Sequence, residues 1–152
     1  MKHPNLLFIY TDEQAFNTLA AYGNTQIEMP NLNGLAEQSV VFDQAYVTQS
    51  VCTPSRSTLL TGLYPHSNGC VENNIPLDSE TACLPEMLGE GDYATAHIGK
   101  WHLGDELFAQ HGFDEWVSIE DGYNGHFSMG RDQGVTSSYH DFLIGHGLEP
   151  EN

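Results

Sequence analysis

Cys52-Thr53-Pro54-Ser55-Arg56 sets a sulfur nucleophile four residues ahead of a guanidinium, and Ser57-Thr58-Leu59-Leu60-Thr61-Gly62 follows at once. Pro54 suits a first helical turn, where its missing N–H is not needed. Gly62 suits a helix end. A helix between them places Cys52 at or just before its positive pole, where exposed backbone N–H groups favour an anion. Arg56, one turn on, can share that face. Together these make a site for an anionic group beside a reactive side chain. A cysteine by itself is more often a small buried hydrophobe, so it is the whole string that points to chemistry.

Two further constellations carry charge. Thr11-Asp12-Glu13-Gln14 follows the apolar run Leu6-Leu7-Phe8-Ile9-Tyr10. Adjacent carboxylates converge on a hard cation if the chain turns there; in a continuing strand they point to opposite faces. An isolated Asp-Glu pair is usually a solvated acidic turn. Lys100 and His102 flank Trp101 in Gly99-Lys100-Trp101-His102-Leu103-Gly104. In extended backbone both polar side chains point to one side and Trp101 to the other, as a core anchor. An ammonium and an imidazole aimed at one spot can neutralise an anion and move a proton. The chain has only four basic residues besides histidine, Lys2, Arg56, Lys100 and Arg131, against a net charge of −17. Two of them fall inside these motifs, which suits cations reserved for an anionic ligand.

Cys52-Thr53-Pro54-Ser55-Arg56 with Leu60-Thr61-Gly62, the Gly99–Gly104 segment and the acidic pair resemble the motifs of the type I sulfatases, in the alkaline-phosphatase superfamily. The resemblance runs over residues 4–116 and matches the N-terminal portion of that catalytic domain. It implies that Cys52 is oxidised to formylglycine by the formylglycine-generating enzyme, which reads Cys-x-Pro-x-Arg. It further implies that the aldehyde hydrate attacks sulfur and that its second hydroxyl later expels sulfate. Arg56, Lys100 and His102 become catalytic residues, Lys100 contacting sulfate and formylglycine, His102 hydrogen-bonding the formylglycine. The implied cofactor is Ca²⁺, with Mg²⁺ less favoured, held by Asp12, Glu13 and the modified Cys52. The family's usual acidic pair is Asp-Asp, so Glu13 departs by one methylene. Cysteine-dependent phosphatases also pair Cys with Arg, but through a longer intervening loop.

The resemblance thus implies a sulfuric ester hydrolase acting on a small-molecule or carbohydrate sulfate ester. Two alternatives stand beside it: a phosphonate monoester or phosphodiester hydrolase of the same superfamily, and a non-catalytic truncated sulfatase-like binding module. The family's later parts, an Asp-Asn or Asp-His pair, a leaving-group histidine and another lysine, find no match: Asp141 precedes Phe142, and no lysine follows Lys100. Residues 1–152 are therefore expected to be a fragment, with an unfinished metal site, an exposed sheet edge and no arylsulfatase turnover alone.

Elements must position these groups. Asn5–Tyr10, Ser39–Val47 and Ala94–Ile98 read as strands. Residues 30–38, with Pro30 leading, the stretch after Cys52, Leu84–Gly89 and Tyr139–His146 read as helices. Gly122–Ser138 reads as loop. Alternating strands and helices point to an α/β fold, a mostly parallel sheet with helices on both faces, whose ligands sit at the carboxyl ends of strands.

Composition bounds the rest. With 152 residues and 39% hydrophobic content the chain can build a core. Its acidity excludes nucleic-acid and anionic-membrane partners, which need clustered Lys and Arg. No apolar run nears the ~18 residues of a membrane span. No signal peptide is seen, so a cytoplasmic location is expected as written, with periplasmic or secreted alternatives. Cys52, Cys70 and Cys83 do not form a disulfide framework, and no zinc-binding sequence pattern occurs. Among the other histidines, His66 is the best candidate for lining the pocket.

Overall fold

The computed structural model describes residues 4–88, 91, 93–122 and 128–150. The chain divides into two compact units, Met1–Val47 and Thr48–Asn152.

In the first unit, α1 spans Pro30–Glu37 with proline in its first turn. Two 3₁₀ turns, Phe16–Thr18 and Ala20–Tyr22, precede it. The Asn33 side chain accepts the Ala20 N–H at 3.0 Å, tying helix to turn. Asn5–Tyr10 and Ser39–Val47, expected as strands, join no ladder among the described residues. Leu7 is 82% exposed and Tyr46 86%. A continuous apolar run specifies burial inside a sheet, but only a neighbouring strand can supply the ladder hydrogen bonds. No described strand lies beside these two.

The second unit holds α2 (Cys52–Thr61), α3 (Pro65–Asn68), α4 (Leu84–Met87), β1 (Ala96–Gly99), β2 (Glu115–Ser118) and α5 (Ser138–Gly145). Gly62 ends α2 as expected, in the left-handed conformation at φ 71°, with its N–H on the Thr58 carbonyl at 2.8 Å. Only glycine adopts that conformation without steric cost. Helix α5 starts one residue before its expected position, capped by the Ser137 hydroxyl accepting the His140 N–H. The expected helix Leu84–Gly89 is α4; residue 89 lies outside the described residues, as do 123–127 of the expected loop.

Strands β1 and β2 pair in parallel, Ala96 opposite Glu115 and Gly99 opposite Ser118. The expected strand Ala94–Ile98 is thus present but displaced toward Gly99, while β2 has no counterpart among the expected elements. A parallel pair needs a crossover, and residues 100–114 supply an irregular one. Lys100, Trp101 and His102 begin that crossover. Trp101 anchors it: it is 1% exposed and lies in a core with Cys70, Leu77, Cys83 and Leu103, against Leu60, Phe113 and Trp116. The Trp101 and Trp116 rings meet edge to face at 5.2 Å, a favoured aromatic geometry. Cys70 and Cys83 are buried free thiols. No described helix is long and apolar enough to cross a membrane.

Candidate active site

Helix α2 begins without a side-chain cap of its own, since Val51 stands at its N-cap. Orphan N–H groups of a first turn need acceptors. Asn73 supplies one from outside the helix, its Oδ1 accepting the Thr53 N–H at 2.9 Å. Thr53 is fully buried. Its hydroxyl donates to the His102 carbonyl at 2.9 Å and accepts the Asn74 N–H at 3.3 Å. One side chain thereby joins the start of α2, the 73–74 turn and the crossover after β1. Asn73→Ala should cost about 0.5–2 kcal/mol of stability, the usual value of a lost N-terminal cap, read by urea denaturation. A midpoint unchanged from the parent protein would show that water replaces the cap.

On this frame four expected residues come together. The Lys100 ammonium lies 3.9 Å from Cys52 Sγ. The Arg56 guanidinium, on a residue only 9% exposed, donates through Nη1 to the Lys100 carbonyl at 2.8 Å. His102, 3% exposed, places Nε2 2.9 Å from Asn74 Oδ1. A half-buried sulfur at a helix N-terminus therefore faces an ammonium, while the guanidinium holds the Lys100 backbone and the imidazole is held by Asn74.

The route to this convergence differs from the expected one. Strand β1 stops at Gly99, and His102 has φ 59°, so Lys100–His102 is not extended backbone. A buried carboxylate closes the turn instead. Glu106, 1% exposed, accepts the Trp101 N–H on Oε2 at 3.0 Å and the His102 N–H on Oε1 at 2.6 Å. Burial pushes the Glu106 carboxyl up, and Glu120 adds to this; the two N–H groups and the charge of Arg56 oppose it. Burial also lowers His97, with the Gly99 carbonyl opposing and Arg56 contributing.

Asp12 and Glu13 belong to the first unit. Glu13 has φ 55°, so the chain does turn at the acidic pair, the condition for adjacent carboxylates to converge. Both are exposed. Two hard oxygen donors on a turn fit the start of a Ca²⁺ or Mg²⁺ shell, with further oxygens needed to fill it. His66 is exposed and stacks on Tyr64 with ring centroids 5.7 Å apart, away from the four-residue group's hydrogen bonds. Thr53, Asn73, Asn74 and Glu106 escaped sequence reasoning. Only the Asn73-Asn74 pair offered a cue, as polar turn residues soon after the Cys52 helix.

A family model described as Sulfatase matches residues 4–143. An N-acetylglucosamine-6-O-sulfatase of Bacteroides thetaiotaomicron is 36% identical over 115 residues, which are 76% of this chain and 20% of that protein. The human N-acetylgalactosamine-6-sulfatase is 37% identical over 131 residues, covering 74% of this chain and 25% of that protein. Among solved structures, one in complex with its substrate D-glucosamine-2-N,6-O-disulfate superimposes with a TM-score of 0.73 at 34% identity. It covers 82% of this chain and 24% of its own. These relatives carry the alkaline-phosphatase-like fold, so the parallel pair and its helices are part of that α/β architecture. The chain spans about a fifth to a quarter of the length of the relatives it matches. With the family model covering most of its length, the chain belongs to the sulfatase family.

Proposed function

We propose that this chain carries the nucleophile-bearing part of a sulfuric ester hydrolase acting on a sulfated carbohydrate, with Cys52 converted to formylglycine. The observation that carries the reading is the Lys100 ammonium 3.9 Å from Cys52 Sγ, at the N-terminus of α2, with Arg56 bonded to Lys100's own carbonyl. Support for the substrate class comes from relatives named for 6-sulfated amino sugars and from the solved relative bound to a sulfated glucosamine.

Each residue has a distinct task. Lys100 sets positive charge where sulfate oxygens gather negative charge. Arg56 adds a second cation and fixes the Lys100 backbone. His102, held through Nε2 by Asn74 and through its backbone by Thr53 and Glu106, stands ready to exchange a proton at the residue-52 side chain. Formylglycine at position 52 would supply a hydrated aldehyde as the nucleophile. Asp12 and Glu13 would offer carboxylate oxygens to Ca²⁺, a cation that would supply Lewis acidity.

Peptide mass spectrometry across Cys52, after co-expression with the formylglycine-generating enzyme, tests the reading. Conversion of thiol to aldehyde removes about 18 Da, a change distinct from the oxygen additions of thiol oxidation. An unmodified Cys52 beside active maturation enzyme would overturn the formylglycine assignment. Assay of a longer protein carrying this segment against N-acetylglucosamine 6-sulfate and a phosphonate monoester then decides the ester class. Preference for the phosphonate would overturn the sulfatase reading.

A further inference from the structure

Away from the nucleophile, a second group of donors converges without a role in the chemistry above. Cys83 immediately precedes α4, Glu86 lies in the first turn of α4, and His111 arrives from the turn before β2. Among the described residues, one ligating atom from each of these three lies within 4.8 Å of the other two. His111 Nδ1 is 3.9 Å from a Glu86 carboxylate oxygen.

The imidazole makes this more than a helix cap. Its side chain is 4% exposed, and Nδ1 has no hydrogen-bond partner. A buried polar atom left unpaired is costly and uncommon, so it calls for an explanation. The backbone presses the ring into place. His111 has φ 51° and Gly112 φ 77°, and a Cβ on Gly112 would lie 2.6 Å from Glu86 Cγ. The His111-Gly112 turn therefore rests directly on Glu86. The capping box fixes the other two donors: Glu86 Oε2 accepts the Cys83 N–H at 2.7 Å, and the Cys83 side chain turns back over the first turn of α4.

We propose that Cys83, Glu86 and His111 form a binding site for a zinc-type divalent cation, separate from the nucleophile and independent of the function proposed above. Sulfur, imidazole nitrogen and carboxylate oxygen make a three-residue ligand set of the kind that holds Zn²⁺ with one position open. The soft sulfur and the imidazole disfavour Ca²⁺ and Mg²⁺, which suit the oxygen pair at Asp12 and Glu13. The Glu86 side chain is 37% exposed, so solvent reaches this carboxylate. Binding forms a sulfur–metal bond and releases the thiol proton to solvent, with no change of oxidation state.

Cobalt(II) is the probe, since it enters such sites and reports thiolate and geometry by its colour. Titration of the metal-free 152-residue chain should give visible bands and a thiolate-to-cobalt charge-transfer band saturating at one equivalent. Zn²⁺ should displace both. Cys83→Ser should abolish the charge-transfer band, and Cys52→Ala should keep it. Glu86→Gln retains an acceptor for the cap, so its fold is protected if Cys83→Ser unfolds; it should keep the thiolate band and bind cobalt at least tenfold more weakly. His111→Gln should do the same. Absence of a charge-transfer band in the parent chain would overturn the site. So would a band lost in Cys52→Ala and kept in Cys83→Ser, or affinity unchanged in both Glu86→Gln and His111→Gln.

Discussion

Asp105→Ala should lower the free energy of unfolding by about 3–5 kcal/mol, the cost of stranding one partner of a buried ion pair. Arg131 Nη1 donates to Asp105 Oδ1 at 2.9 Å, and the two side chains are only 1% and 4% exposed. Arg131 Nη2 also donates to the Asp121 carbonyl. Asp105 accepts the N–H groups of Ser128 at 2.7 Å and Leu107 at 3.1 Å. Removing the carboxylate takes away the counter-charge 2.9 Å from a buried guanidinium and the acceptor of two N–H donors. Urea denaturation measures the loss; a change under about 1 kcal/mol would place the pair in the class of weak surface bridges. The double change Asp105→Leu with Arg131→Met should recover much of the stability, because neither charge is then buried.

The same pair sets an acid limit. Burial works against ionisation of Asp105, but the Ser128 and Leu107 N–H groups, the Ser128 side chain and Arg131 outweigh it and hold the carboxyl below its ordinary value of 3.8. A folded-state value below the unfolded one gives stability that is complete above the unfolded value. That stability is lost as pH falls through the folded value. Asp105→Asn should remove this part of the acid-unfolding slope.

The second large effect belongs to Lys100. In a longer protein carrying this segment, Lys100→Ala should lower kcat by about 10²–10³-fold, the usual cost of deleting one preorganised charge at a developing anion. Lys100 lies outside the Cys52–Arg56 string, so conversion of Cys52 should continue, and peptide mass separates lost chemistry from lost maturation. A drop of less than about threefold, with full conversion, would mean that Lys100 is a bystander. A rise in KM alone would assign it to ground-state binding of the sulfate.

What the sequence disclosed follows the range of each signal. Helix α2 was legible because Pro54 and Gly62 act on their own turns. The Lys100-Trp101-His102 trio was legible because its residues are neighbours. The frame that aims them was not. Thr53 reaches a carbonyl 49 positions away, and Asn73 caps an N–H 20 positions back. Such bonds leave no periodicity. Glu106 read as one acid among 21 acidic residues until its burial against two N–H groups was seen. Strand β2 was missed because Glu115-Trp116-Val117-Ser118 is short and mixed in polarity, and its pairing comes from β1. The runs at Asn5–Tyr10 and Ser39–Val47 were apolar enough, but a strand is a relation between two segments.

Thr53 gives the site one mechanical property. Its hydroxyl serves the His102 carbonyl and the Asn74 amide together, while its own amide hangs on Asn73. A rotation of that one side chain away from its rotamer would break both hydroxyl bonds together, freeing the His102 carbonyl and the Asn74 amide while the Asn73 cap on the Thr53 amide stays in place. The start of α2, the 73–74 turn and the turn that carries His102 are therefore coupled through a single hydroxyl.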